Sequence, residues 1–173
     1  MMAHQLTTSY LADSVAVFQS YRKTAERAME QCPDESLFIQ LDPESNSIAT
    51  IVKHIAGNMR SRWTDFLTTD GEKPDRNRDT EFETPPATRA ELLTVWNAGW
   101  KHVFDALSPL TDSDLTRTVT IRGEPHSVMQ AINRQIAHYA NHIGQIVFLA
   151  KHLTVKAKGT WTSLSIPRAP SRK

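Results

Sequence analysis

Gln135-Ile136-Ala137-His138-Tyr139-Ala140-Asn141-His142-Ile143-Gly144-Gln145-Ile146-Val147-Phe148-Leu149 reads as one long amphipathic helix late in the chain. His138 and His142 stand four residues apart, so they share a helix face with Cβ atoms about 5–6 Å apart. Two imidazoles so placed can close on one cation, at Zn–N distances of about 2.0–2.1 Å. The stripe continues through Gln145 to Leu149, so polar groups lie on a face whose continuation is apolar. Two readings stay open here. The pair either ligates a metal or sits at the solvent edge, and a third ligand from elsewhere in the chain decides between them.

With 173 residues, the chain has the length of one domain, 1–173, large enough to bury a core. Its 39% hydrophobic and 23% charged residues are those of an ordinary globular protein, neither disordered nor membrane-embedded. Lys+Arg 20 against Asp+Glu 19 leaves +1 with no long run of either sign, which gives no electrostatic reason to expect nucleic acid or a membrane surface as partner. The start, Met1 to Leu6, lacks a secretory signal pattern. No apolar run approaches the roughly 18 residues of a membrane span. Cys32 stands alone, so no disulfide framework or thiolate cluster is expected, and a cytoplasmic enzyme or binding protein fits.

In chain order, Leu6, Tyr10, Val17, Tyr21, Ala25 and Ala28 repeat near 3.6 and predict a helix from 6 to about 31, ended by Pro33. Asp42 to Ser47 supplies turn and N-cap residues for a second helix over about 47–68, with His54 at the margin of its apolar stripe. Residues 70–87 break the periodicity, and loops longer than about 12–15 residues tend to be functional or disordered. Asp75, Asn77 and Asp79 mimic the start of a calcium loop. Thr80 replaces its turn glycine and Pro86 its bidentate glutamate, so that reading fails. Thr88-Arg89-Ala90-Glu91 is a capping box opening a third helix, which Ser108-Pro109 stops. Thr111 to Asp114 can cap a single turn, and Thr118 to Pro125 predicts a short strand or hairpin. Ser127 caps the fourth helix, expected to reach about 153. The tail 156–173 carries Trp161, Leu164 and Ile166, which predict packing on the body or on a second copy. Four helices with these connections make an all-α four-helix bundle the natural architecture, with the long loop after helix 2 and the hairpin before helix 4.

The chemistry narrows by elimination. There is no Glu-x-x-His for a di-iron site, no His-Glu-x-x-His, no phosphate loop and no Gly-x-Ser-x-Gly elbow. Cys32 falls at a helix C-terminus, where the dipole opposes a thiolate, so it reads as a small packing residue. A His-only site remains: His138 and His142 with His54 as third ligand, leaving a fourth position for water or substrate, although His54 taken alone reads rather as a helix-surface residue. His4, His102, His126 and His152 fall off the relevant faces, His126 near a helix start. Asn58 and Gln145, one turn beyond His54 and His142, either orient a substrate or bond helix to helix. Arg76, Arg78 and Asp79 either border the pocket or are solvated, and no general base is evident.

Asn46-Ser47-Ile48-Ala49-Thr50-Ile51-Val52-Lys53-His54-Ile55-Ala56-Gly57-Asn58 and His138-Tyr139-Ala140-Asn141-His142-Ile143-Gly144-Gln145 resemble the helix-two and helix-four signatures of the DinB/YfiT-like family of small bacterial four-helix metalloenzymes. The loop Asp70–Phe82 and the tail Trp161–Arg168 look like one uncharacterised branch of it, so the likeness spans nearly the whole chain. The resemblance implies an up-down-down-up bundle, a divalent metal of the zinc or nickel class on His54, His138 and His142, and a homodimer. It implies an S-transferase or related transferase or hydrolase activity on a small-molecule substrate, with a low-molecular-weight thiol. The reading from another class is a non-catalytic dimeric bundle that holds a metal or small ligand in stress response.

Overall fold

The structure, a computed structural model, describes residues 9–166. His4, the expected helix start at Leu6, and the tail residues from 167 onward lie outside the described residues. The fold is mostly helical, with α1 (Tyr10–Gln31), α2 (Ile48–Trp63), α3 (Arg89–Leu107) and α4 (Val128–Lys158). Between α3 and α4 lies a two-stranded antiparallel sheet of β1 (Thr118–Ile121) and β2 (Glu124–Ser127). No helix among the described residues is long and apolar enough to cross a membrane.

Each helix starts where its sequence offers an oxygen to the free amides of the first turn. Ser9 accepts from the Ala12 amide, Ser47 from Thr50, Thr88 from Glu91 and Ser127 from Gln130. At Ser127 the box is reciprocal, with Gln130 Oε1 accepting from the Ser127 amide at 2.8 Å. The helix ends depart further from expectation. α2 stops at Trp63, five residues short of 68, because Asp65 takes a left-handed φ of 46° and its carbonyl accepts the Thr68 and Thr69 amides in a turn. α4 runs on to Lys158 because nothing from Thr154 to Lys158 breaks a helix, and Gly159, at φ 76°, caps it. His126, expected near a helix start, lies on β2, and the helix opens two residues later.

Helix α2 packs on α3, α1 on α4, and α2 also meets α4. The backbones of α2 and α3 meet closely at Gly99, where a Cβ would lie 2.9 Å from Ala56 Cα. At the centre, one ring comes from each helix: Phe18, Trp63, Trp100 and Tyr139. Phe18 meets Tyr139 at 5.7 Å and Trp63 at 6.1 Å between centroids, and Trp100 meets Tyr139 at 5.9 Å. Cys32 is buried at the end of α1, and burial pushes its thiol pKa up, in keeping with a packing residue.

The segments around the bundle of helices are held by specific bonds. Lys53 on α2 donates to the carbonyls of Thr80 and Glu83, at 2.6 and 2.7 Å, which draws the long loop across the helix. Asp70 accepts the amides of Arg122 and Gly123, both at 2.8 Å, in the hairpin turn, where Arg122 takes φ 57°. Of the tail, Trp161 and Leu164 pack against the core, and Gln31 exchanges hydrogen bonds with Thr162 at 2.8 and 3.0 Å.

Candidate metal centre

His54 and the pair on α4 come together where α2 meets α4. The side chains of His54, His138 and His142 each bring a ring nitrogen within 4.8 Å of the others. His54 is buried and the other two are half-buried. The helical spacing sets His138 Nε2 and His142 Nε2 3.1 Å apart. Two nitrogens bound to one zinc at about 2.0–2.1 Å in tetrahedral geometry would be about 3.3 Å apart, so the pair has a spacing that suits one cation.

The other nitrogen of two of these rings is already engaged. His54 Nδ1 donates to Glu81 Oε2 at 2.9 Å, which leaves Nε2 as its free nitrogen. His142 Nδ1 donates to Gln145 Oε1 at 2.8 Å, which leaves its Nε2 as a lone pair facing His138. Carboxylate and amide partners behind ligand histidines fix ring orientation and tautomer, and Glu81 and Gln145 stand in that position. Phe82 stacks on His54 at 4.7 Å and covers its outer face. Burial, followed by the neighbouring His142 and His54, pushes His138 down to about 4, and burial lowers His142 as well. Imidazoles so depressed are neutral near pH 7, the protonation state that ligates metal. The donor set therefore fits a divalent cation on its own chemistry.

Glu81 is the residue that sequence reasoning missed. It lies in a short turn, Asp79–Glu81, inside the loop that broke the periodicity, and no local pattern points to it. Arg76 grips it with two parallel hydrogen bonds, Nε to Oε1 at 2.7 Å and Nη2 to Oε2 at 2.9 Å. Burial alone would raise Glu81. The bonds from His54 and Arg76 override it and hold the carboxyl below its usual range. Gly57, one turn past His54, makes room: a Cβ there would lie 2.4 Å from Glu81 Oε1 and 2.8 Å from Cδ.

The second layer is a carboxylate hub. Glu72 binds Arg62 at 2.9 Å, Arg76 at 3.1 Å and Arg122 at 2.8 Å, which ties α2, the loop and the hairpin turn together. Arg62 also donates to the Gly71 carbonyl. A cleft of about 230 Å³ opens beside the imidazoles, with His54, His138, Asn58 and the buried Arg76 on its wall. Of the sequence-singled residues, Arg76 thus reaches the cleft and braces Glu81. Asn58 lines the cleft while its Oδ1 accepts from Tyr139 Oη at 3.2 Å, a bond from α4 to α2. Tyr139 Oη in turn accepts from Trp63 Nε1 at 3.0 Å. Gln145 is exposed and bonded to His142. Arg78 lines the same cleft, and Asp79 stays on the exposed loop. The remaining described histidines stand elsewhere: His102 against Thr64, His126 on the hairpin and His152 stacked on Phe148.

No curated protein matches this chain. The family model described as "Protein of unknown function (DUF1572)" matches residues 5–170, and the chain belongs to that family.

Proposed function

We propose that this protein is a divalent-metal-dependent enzyme of the DinB/YfiT-like kind, with zinc or nickel held by His54, His138 and His142. The observation that carries this reading is the convergence of three imidazoles from two helices, one backed by a buried carboxylate and two of them, His54 and His138, on the wall of an open cleft. A cation held there supplies Lewis acidity, which lowers the pKa of a bound water or thiol so that a nucleophile forms at neutral pH. The chain does the rest. Glu81 and Gln145 hold two of the rings, Phe82 stacks over His54, and Asn58, fixed by Tyr139, lines the cleft. The reaction class that fits is transfer or hydrolysis on a small electrophilic substrate, with a low-molecular-weight thiol as the candidate nucleophile.

The packing of α1 on α4 and of α2 on α3 is compatible with an up-down-down-up bundle, which we propose as the topology. We further propose a cytoplasmic homodimer. Phe148 and Val155, seven residues apart on α4, are both exposed and give it a starting surface.

One observation favours a second reading, a non-catalytic metal or ligand holder. Glu81, which bonds His54, and Glu72, which shares Arg76 with it, are both engaged by arginines, so neither is free to act as a general base.

The test is elemental analysis of untagged protein beside His138→Ala. Near-stoichiometric zinc, nickel or another divalent metal in the wild type, absent from the variant, is the expected result. No metal in either after incubation with divalent ions would overturn the metal site. Turnover of a thiol panel with electrophilic acceptors by the loaded protein then separates the enzyme from the holder.

A further inference from the structure

The cleft beside the three histidines is lined by five arginines: Arg62 from α2, Arg76 and Arg78 from the long loop, Arg122 from the hairpin turn and Arg134 from α4. The carboxylates that pair with them are Glu72 and Glu81, which engage Arg62, Arg76 and Arg122. Arg78 and Arg134 have no ion pair or hydrogen bond from their guanidinium groups among the described residues. Five guanidiniums against Glu72, Glu81 and Asp70, whose carboxylate sits on the Arg122 turn and interacts with Arg62, leave two positive charges in a concave space. A protein with a net charge of only +1 has gathered a local excess larger than its total. Clefts lined by one sign of charge focus the field and concentrate counter-charged ligands.

Two buried atoms of the lining are also unsatisfied. Arg62 Nε and Gln135 Oε1 have no hydrogen-bond partner, and Arg62 and Gln135 are 6% and 3% exposed. Arg62 Nε is a donor suited to an anion's oxygen, whereas Gln135 Oε1 is an acceptor and suits a donor group elsewhere on the ligand. Arginine is the side chain whose planar fork matches carboxylate and phosphate oxygens.

We propose that this cleft is an oxyanion seat: it binds the carboxylate or phosphate group of a small molecule and so places the rest of that molecule against the imidazoles of His54 and His138. The proposal names the substrate class for the metal reading above and takes the cleft as that site's entrance. The arginines themselves need no cation to bind an anion, so the two can fail separately. The space of about 230 Å³ suits the charged end of a metabolite. Arg78 and Arg134 supply the unneutralised charge, while Arg62, Arg76 and Arg122 are held in place by Glu72 and Glu81.

The experiment is isothermal titration of the metal-stripped full chain with inorganic phosphate and, separately, with malonate, at low and at physiological ionic strength. The variant is Arg78→Gln/Arg134→Gln. Because neither arginine has a partner among the described residues, it should keep the wild-type thermal midpoint. We expect binding of at least one anion, weakened by salt and lost by about ten- to hundredfold in the variant. The stronger of the two anions tells phosphate from carboxylate. Failure of both anions to bind, or binding unchanged in Arg78→Gln/Arg134→Gln, would overturn the seat, whatever the metal analysis shows.

Discussion

Glu81 is the single residue on which the centre turns, because it joins the buried His54 ring to the arginine layer behind it. Carboxylates in this position set ligand basicity and ring orientation, and their loss costs about 10–100-fold in metal affinity. Glu81→Gln can still accept the His54 proton through its amide oxygen, but it gives up the paired charge with Arg76. We therefore expect metal affinity to fall within that range while His54 stays in place. Gly57→Ala should act in the same direction while leaving every polar side chain in the sequence, since its methyl would press on Glu81 Oε1 and Cδ and displace the carboxylate. Competition with a chromophoric chelator measures both. Wild-type affinity in the two variants would remove Glu81 from the centre. The histidine pair was legible because helical spacing places i and i+4 on one face. Glu81 was not, since its approach to His54 depends on a loop 27 residues further along the chain being drawn in by Lys53.

At the scale of elements, what periodicity encodes came through and what breaks it did not. All four helices were read from their apolar repeats and cap residues, and the Thr118–Pro125 alternation from its period of two. The misread ends have local causes. Phe66 stays apolar past the end of α2 because it packs edge to face on Trp63, the last residue of the helix, at 5.3 Å, so the pattern outlasts the helix. The α2–α3 contact was also hidden, because a glycine in a helix carries no pattern. Gly99 lets the two backbones meet at Ala56, and Gly99→Ala forces them apart by a few tenths of an ångström or more. Overpacking of this kind costs about 1–3 kcal/mol, against which the better helix propensity of alanine returns up to about 1 kcal/mol. A net loss of stability is expected, seen as a lower urea midpoint at unchanged slope. A midpoint at or above wild type would mean that the helices can separate freely there.

Over the whole molecule, Glu72 is the point where three separate pieces of chain are joined: Arg62 of α2, Arg76 of the loop and Arg122 of the hairpin turn. Burial works to raise its pKa, but hydrogen bonds from Arg122 and Arg62 and the surrounding guanidinium charge hold it down to about 2, from an ordinary 4.5. Between those values the unfolded chain binds the proton that the folded chain refuses. Stability therefore rises with pH across that window. The contribution is complete above about pH 4.5 and is lost as pH falls through about 2. Glu72→Gln removes it and leaves Arg62 buried without its charge partner. The variant should be less stable at neutral pH and lose less on acidification, so its curve approaches that of the wild type near the acid end. Urea midpoints of the metal-stripped proteins from neutral pH down to about pH 3 measure this, and stripping keeps loss of the cation from adding its own acid limb. Two parallel curves would show that the arginine hub holds together without its carboxylate. The wild-type acid limb would then come from other titrating groups, among them Glu81, whose carboxyl is also held below its usual range.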